Sequence, residues 1–160
     1  MTVIVTDTGF APDDWTGSFG PATDAAADAA HGGTADATDA APADPLAGLA
    51  PGAALDLGPD ADADALAGRL DAVPMIRVAF PSFSDGRGFT IARRLRRGGY
   101  GGRLRAAGHV IADQYAMARR SGFDEVEIDD ALAARQPQDQ WLARADWRDH
   151  DYRARLRAEA

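Results

Sequence analysis

The stretch that decides the fold begins Met75-Ile76-Arg77-Val78-Ala79-Phe80, an apolar run broken only by Arg77, and extends to Ile128. A corner of serine, aspartate and glycine follows the run, Ser84-Asp85-Gly86-Arg87-Gly88, and leads into a basic amphipathic segment. The alternation then repeats through residues 104–108, 109–121 and 124–128. A continuous apolar run is typical of a strand covered on both faces, and an amphipathic segment is typical of a helix. The pattern predicts strand, helix, strand, helix, strand, with one helix over Arg87–Arg97 and another over His109–Ser121.

The segments before and after this stretch extend the same pattern. Residues 53–57 form a short strand candidate, and Asp60 or Asp62 can cap a helix that continues to about Asp71. Right-handed crossovers make such strands parallel. The predicted fold class is therefore α/β, with a small parallel sheet of βαβαβαβ type that is either half-barrel-like or open doubly wound. A last helix is predicted from about 138 to 158. Its core-facing residues would be Trp141, Ala145, Tyr152 and Leu156.

Three regions are predicted along the chain. Residues 1–16 read as an N-terminal strand and turn packed on the core, with Val3-Ile4-Val5 as the strand. Residues 17–48 consist mainly of Gly, Ala, Asp, Thr and Pro, and no large apolar residue occurs between Phe19 and Leu46. Such a composition predicts a disordered acidic insertion, because little apolar surface is available for burial. Residues 49–160 then form the α/β domain.

Acidic residues concentrate in the first half of the chain and basic residues in the second half. The formal net charge is −8, and all 17 basic residues are arginine. Residues 1–74 contain 13 acidic residues and one arginine, whereas residues 75–122 contain ten arginines and two acidic residues. A GC-rich genome explains part of the arginine enrichment. The asymmetry indicates either a basic surface that binds an anion or an acidic protein, or an acidic segment that shields the basic face of its own chain.

Composition also argues against several classes of protein. The chain has no cysteine, so disulfides, a thiolate nucleophile and cysteine-bound metal are excluded. The three histidines have no metal-ligand spacing, and no metal site is predicted. No apolar run approaches the roughly 20 residues of a membrane span, and the first residues do not resemble a signal peptide. The basic stripe lacks interleaved aromatic residues, which argues against nucleic acid. A cytoplasmic protein without membrane contact is expected.

The carboxyl ends of the predicted strands are where a ligand is expected, because α/β proteins bind ligands there. The best candidate is the corner after residue 80, where free amides at the helix start and an arginine can hold a small oxyanion. The alternative is a helix cap with glycine for backbone freedom. The anion-binding candidates are Ser84, Gly86, Arg87, Gly88 and Thr90.

Acid–base chemistry has three candidate residues near the same edge, although no catalytic motif is identified. His109 follows Gly108 at a predicted strand end, and Asp85 and Asp113 are the two acidic residues of the basic region. The alternative is a structural role for both residues. His109 would then be a helix-start residue, and Asp113 would be part of a structural brace. The glycines at 98–102 do not match a dinucleotide fingerprint, so no cofactor is identified.

Several motifs together resemble the DUF934 family. They are Phe80-Pro81-Ser82-Phe83-Ser84-Asp85-Gly86-Arg87-Gly88, Ala92-Arg93, Leu104 to Gln114 (LRAAGHVIADQ) and Gly122-Phe123-Asp124. The resemblance covers residues 53–130 and is looser from Gly9 to Trp15. Several members of the family carry a cysteine at the position of Ser121. The resemblance implies a role in sulfite reduction, because the family is described as oxidoreductases of that process encoded beside sulfite reductase and adenylylsulfate reductase.

Two functional hypotheses follow from the residues and the resemblance. In the first, the chain is an accessory protein of assimilatory sulfate and sulfite reduction that binds sulfite reductase or another sulfur-assimilation enzyme. Its partner-binding residues would be Arg93, Arg94, Arg96 and Arg97 on the basic helix. In the second, the chain is an oxidoreductase or oxyanion-binding enzyme with its site at the carboxyl ends of the strands. A flavin or nicotinamide is compatible with that description, but the sequence identifies neither.

Overall fold

The computed structural model describes residues 1–20, 44–149 and 151–158. Within these residues the strands form one seven-stranded sheet in the order β2-β1-β7-β6-β5-β4-β3. The strands from β3 to β7 are parallel, and β1 is antiparallel to both of its neighbours. Their bounds are β1 Thr2–Thr6, β2 Gly9–Ala11, β3 Phe19–Gly20, β4 Ala54–Leu57, β5 Met75–Phe80, β6 Arg103–Gly108 and β7 Glu125–Asp129.

The strand order distinguishes between the two predicted architectures. Strands β4 to β7 lie side by side in chain order, without the reversal that defines a doubly wound sheet. Right-handed crossovers between such strands place every helix on the same face. The α/β prediction is confirmed, and the connectivity is that of the half-barrel-like alternative. The N-terminal strand is also present, and it extends the sheet beside β7.

Five α-helices follow the strands in the described part of the chain. They are α1 Arg87–Arg97, α2 Tyr115–Ser121, α3 Asp130–Arg135, α4 Gln138–Leu142 and α5 Tyr152–Ala158. Helix α1 has the predicted bounds. The helix predicted up to Asp71 is only a 3₁₀ turn at Asp64–Leu66, and the positive φ of Gly68 follows it at once. The predicted start of the second helix at His109 is also wrong. His109 donates its backbone N–H to Phe80, and a 3₁₀ turn at Ala112–Gln114 precedes α2.

The single helix predicted from 138 to 158 is instead broken into α4 and α5. Trp141 is buried, as predicted, and Ala145 packs against the core. Trp147 also packs inward and donates its indole N–H to Asp7. The two tryptophans are six positions apart, so an unbroken helix would direct them to different faces. The break lets both contact the protein. Tyr152 and Leu156, predicted to face the core, are exposed.

The hydrophobic core lies between the helices and one face of the sheet. Alternate residues of β5, Ile76, Val78 and Phe80, face it together with those of neighbouring strands. The Phe80 ring packs against Phe89 of α1 with 4.9 Å between ring centroids. A Cβ atom at Gly88 would overlap the Phe80 ring. The close approach of α1 to the sheet therefore requires glycine at this position.

Both ends of the predicted insertion belong to the folded protein. Phe19 and Gly20 form β3 and pair with Ala54 and Leu55 of β4. On the other side, Leu46 packs against the core. The predicted boundaries of 17–48 are therefore too wide: Phe19 stacks on Arg77 at one end, and Leu46 packs against the core at the other. The remaining part of this prediction, residues 21–43, lies outside the described residues.

No helix in the described part of the chain is long and apolar enough to cross a membrane.

Ser121, at the last position of α2, provides a test of the core. Its side chain is buried, and its Oγ has no hydrogen-bond partner among the described residues. A buried hydroxyl without a partner opposes folding by about 1–3 kcal/mol. We expect Ser121→Ala and Ser121→Cys to leave the free energy of unfolding unchanged or to raise it by about 1 kcal/mol, measured by urea denaturation. A loss of more than about 1 kcal/mol in both variants would contradict this account.

Candidate functional site

The face of the sheet opposite the helices carries a network of ion pairs that is buried at its centre. Alternate residues of β4 to β7 point to this face, since neighbouring residues of a strand point in opposite directions. The charged residues lie beside one another across the sheet: Asp56 opposes Arg77, Arg77 opposes Arg105, and Arg105 opposes Glu125. The complete ion-pair network consists of Asp13, Asp14, Asp56, Arg77, Arg103, Arg105, Glu125 and Glu127.

Arg105 is the centre of this network and is completely buried. Its Nε donates to Glu125 at 2.6 Å, and its Nη1 donates to Glu127 at 2.9 Å. The carboxylate of Asp13 accepts hydrogen bonds from both terminal nitrogens of Arg105, from Nη1 at 2.9 Å and from Nη2 at 2.8 Å. Burial opposes the positive charge, but the hydrogen bonds to Asp13 and Glu125 outweigh it and raise the pKa of Arg105. The guanidinium therefore stays charged and holds the segment before β3 against the sheet.

Arg77 forms the second centre, next to Arg105. Its Nε and Nη2 donate to the two oxygens of Asp56 at 2.7 and 2.8 Å. Its Nη1 lies 3.4 Å from both oxygens of Glu127, which is long for a charge-assisted hydrogen bond. Phe19 covers the guanidinium, whose central carbon lies 3.7 Å from the ring centroid. Arg77 therefore joins β3, β4, β5 and β7 on one face of the sheet.

Aspartates that pair with arginines make the stability of the fold depend on pH in the acid range. The hydrogen bonds from Arg105 hold the pKa of Asp13 below its ordinary value of 3.8. Burial raises the pKa of Asp7, but hydrogen bonds from Arg119 and Tyr115 outweigh burial and lower it overall. A carboxylate with a lowered folded-state pKa contributes stability above its unfolded pKa, and this contribution is lost as the pH falls through the folded-state pKa. The two groups therefore favour the folded state at neutral pH and lose that effect in acid.

We expect the free energy of unfolding to be nearly constant above about pH 5 and to fall below about pH 4. The variants Asp7→Asn and Asp13→Asn should be less stable at neutral pH and lose less stability in acid. Asp113→Asn, at a side chain that is 71% exposed, is the control. Urea denaturation at a series of pH values measures each slope. Equal acid slopes in the wild type and both variants would contradict the assignment to Asp7 and Asp13.

A cavity of about 100 Å³ opens beside this network at the carboxyl ends of the strands. Gly108 shapes it: its φ is +115°, and a Cβ atom there would lie 2.6 Å from the carbonyl oxygen of Phe80. The polar residues that line the cavity are Thr2, Asp56, Arg77, His109, Glu127 and Asp129. Three carboxylates thus face one guanidinium and one imidazole. By its charge, the cavity favours a hydrogen-bond donor or a cation over an oxyanion.

Of the three acid–base candidates, only His109 lines this cavity. His109 is exposed, and its imidazole forms no hydrogen bond with a described residue. Asp85 instead binds Arg87, whose hydrogen bonds lower the pKa of the carboxyl. Asp113 pairs with Arg144 at 2.7 Å. The structure therefore gives the two aspartates separate arginine partners and does not bring them into the cavity with His109.

Side chains of the predicted anion-binding corner already bind one another and Asp60. The Arg87 guanidinium pairs with both Asp85 and Asp60, so two carboxylates surround the cation that would attract an anion. The hydroxyls of Ser82 and Ser84 lie 2.9 Å apart. Gly86 precedes α1 and Thr90 is exposed on it, whereas Gly88 is required by packing on Phe80. The corner stays a predicted anion site with a reduced positive charge.

The four arginines of α1 that were predicted to bind a partner fall into two groups. Arg96 is bound within the protein, because it donates to the carbonyl oxygens of Gly122, Tyr100 and Gly102 and pairs with Asp124. It therefore closes the loops at the amino ends of the strands. The other three, Arg93, Arg94 and Arg97, are exposed. The Nη1 atom of Arg94 lies 3.4 Å from Oδ2 of Asp64. Arg93 and Arg97 have no hydrogen-bond or ion-pair partner among the described residues.

Sequence reasoning missed the ion-pair network, although the chain contains a signal for it. Arg77 interrupts an apolar strand, Arg103 and Arg105 alternate with apolar residues, and Glu125 and Glu127 do the same. Charges spaced by two in neighbouring strands of a parallel sheet lie on one face. Their pattern could have revealed a charged face.

In the described part of the chain, no three His, Asp or Glu side chains are grouped closely enough to hold a metal ion.

The fold and the site define a class: a small α/β protein with half-barrel connectivity, helices on one face of the sheet and a buried ion-pair network on the other. The family model described as "Bacterial protein of unknown function (DUF934)" matches residues 54–159. The chain therefore belongs to the DUF934 family, as the sequence motifs indicated. The match spans β4 to β7 but leaves out Asp13 and Asp14. A comparison with curated proteins found no match.

Proposed function

We propose that this protein is a cytoplasmic accessory protein of assimilatory sulfate and sulfite reduction. It acts by binding sulfite reductase or another enzyme of sulfur assimilation. The family context of the resemblance supports the pathway. The observation that carries the interaction is the exposed pair Arg93 and Arg97 on α1, which lack partners among the described residues.

The position of this pair supports a contact with another protein. Arg93 and Arg97 are four residues apart, so they lie on the same side of α1. Like charges at this spacing destabilise a helix by about 0.2–0.5 kcal/mol, although charges near the C-terminal end also interact favourably with the helix dipole. An acidic surface on a partner removes the repulsion between the two guanidiniums. Arg94 adds a third exposed charge beside them, so the docking surface consists of Arg93, Arg94 and Arg97.

Charge reversal tests this docking surface. We expect Arg93→Glu/Arg97→Glu to weaken binding to purified sulfite reductase at least about tenfold, which corresponds to about 1.4 kcal/mol. The affinity of the wild type should also fall with added salt, because exposed charges are screened. Isothermal titration calorimetry measures both effects. The control Arg135→Glu/Arg144→Glu places the same charge change on other exposed arginines and should bind like the wild type.

Growth of a clean deletion strain tests the pathway independently of the surface. Failure on sulfate and on sulfite, with rescue by sulfide or cysteine, is expected. Normal growth on all four sulfur sources would overturn the proposed role. Equal affinity of the wild type and Arg93→Glu/Arg97→Glu would overturn the docking surface alone.

A second candidate function is an oxidoreductase or oxyanion-binding enzyme with its site at the carboxyl ends of the strands. The cavity lined by Arg77 and His109 favours a small-molecule site there. Its carboxylates predict weak binding of sulfite. A rise in melting temperature that saturates with sulfite, and that His109→Ala abolishes, would support this candidate over the first.

A further inference from the structure

Helix α5 presents two large apolar side chains to solvent. Tyr152 is 70% exposed and Leu156 is 51% exposed. The two residues are four apart, so they lie on the same side of the helix, one turn from each other. Together they form an apolar strip along one side of the helix. Such a strip normally faces the core of its own protein.

The described contacts of α5 do not explain the stability of this helix. A helix of seven residues is well below the roughly 12–15 residues at which isolated helices become marginally stable in water. Asp151 supports its start by accepting a hydrogen bond from the backbone N–H of Arg153 at 3.0 Å. Most helical stability in proteins comes from packing an apolar face. The described side chains of α5, at positions 152, 153 and 156–158, are all exposed and do not supply this contribution.

The charges beside the apolar strip indicate the chemistry of that surface. Arg153 and Arg157 are both exposed and are also four residues apart, so a basic strip runs parallel to the apolar one. Helix α5 contains no acidic residue. A complementary surface therefore combines an apolar groove with acidic residues along its rim.

We propose that α5 is a docking helix that places Tyr152 and Leu156 in an apolar groove of a partner protein, with acidic residues of the groove facing Arg153 and Arg157. This inference rests on the proposed function, because it adds a second contact to the interaction assigned to α1. The partner is a protein with an acid-rimmed apolar groove.

Two double variants separate the apolar and the charged parts of the contact. We expect Tyr152→Ala/Leu156→Ala and Arg153→Glu/Arg157→Glu each to weaken binding to sulfite reductase at least tenfold in calorimetric titrations of the full chain. The matched control is Phe83→Ala/Met117→Ala, which removes two other exposed apolar side chains and should bind like the wild type. Wild-type affinity in both α5 variants would overturn the docking helix while leaving the contact through α1 in place.

Photo-crosslinking in the host gives a readout that does not depend on sulfite reductase. With p-benzoylphenylalanine at position 152 or 156, we expect one protein adduct, mapped by mass spectrometry to an apolar segment flanked by acidic residues. Arg153→Glu/Arg157→Glu should abolish the adduct, and the same probe at position 83 should not form it. No adduct, or an adduct that survives charge reversal, would overturn the proposal. Flotation with phosphatidylglycerol vesicles that depends on Tyr152 and Leu156 would overturn it in favour of a membrane surface.

If the wild type does not bind sulfite reductase but forms the charge-dependent adduct with another protein, the docking helix stands and the choice of partner is wrong. If it binds the reductase and only the α1 variants weaken the complex, the proposed function stands and the docking helix is wrong. The two failures are therefore distinguishable.

Discussion

Replacing Arg105 with alanine is expected to lower the free energy of unfolding by about 3–5 kcal/mol, a large part of the 5–15 kcal/mol that stabilises a typical domain. Arg105 is completely buried, and its guanidinium binds Asp13, Glu125 and Glu127. Its removal leaves three carboxylates with one cation fewer, two of them on the buried face of the sheet. Urea denaturation at neutral pH measures the loss.

The matched control for this prediction is Arg87→Ala. Arg87 also pairs with two carboxylates, Asp85 and Asp60, but its side chain is 52% exposed. Surface ion pairs contribute about 0–1 kcal/mol, because water solvates both charges and the side chains lose entropy when they pair. We therefore expect a small loss in Arg87→Ala. A similar loss in both variants would show that burial of the ion-pair network is not what stabilises the protein.

Replacing Trp141 with alanine is expected to cost about 3–5 kcal/mol for a different reason. Its ring is 1% exposed and packs edge-on against Tyr115, with 6.1 Å between the ring centroids. Its indole N–H donates to the carbonyl oxygen of Gln136 at 2.9 Å. The substitution creates a large cavity and removes the donor for this carbonyl. Urea denaturation, followed by circular dichroism because a fluorophore is lost, measures the change.

Leu142→Ala is the control for Trp141→Ala. Leu142 follows Trp141 in α4 and is 40% exposed, so its truncation leaves no buried cavity. We expect a loss below about 1 kcal/mol, typical of a surface substitution. If Trp141→Ala were no more destabilising than this control, α4 would not anchor the last part of the chain to the core.

The candidate site was only partly predictable from the sequence. The position of His109 at the end of a strand follows from the Gly108 turn and the preceding apolar pattern, and the structure places it at the cavity. The partner of Asp113 did not follow, because it lies in a distant segment, whereas the partner of Asp85 is Arg87 in the same corner. Arg144, the partner of Asp113, is 31 residues away in the chain. No local pattern links residues at that separation.

The sequence by itself determined the order of the strands from β4 to β7, the helices after β5 and β6, the bounds of α1 and the apolar residues that face the core. These features depend on side-chain periodicity and on glycines and caps, which act over a few residues. Only the tertiary structure decided the strand order, the antiparallel β1 and the ion-pair network. Asp13 meets Arg105 across 92 residues. Such a pairing depends on how the folded sheet brings distant segments together, because desolvated charges require partners wherever the fold supplies them.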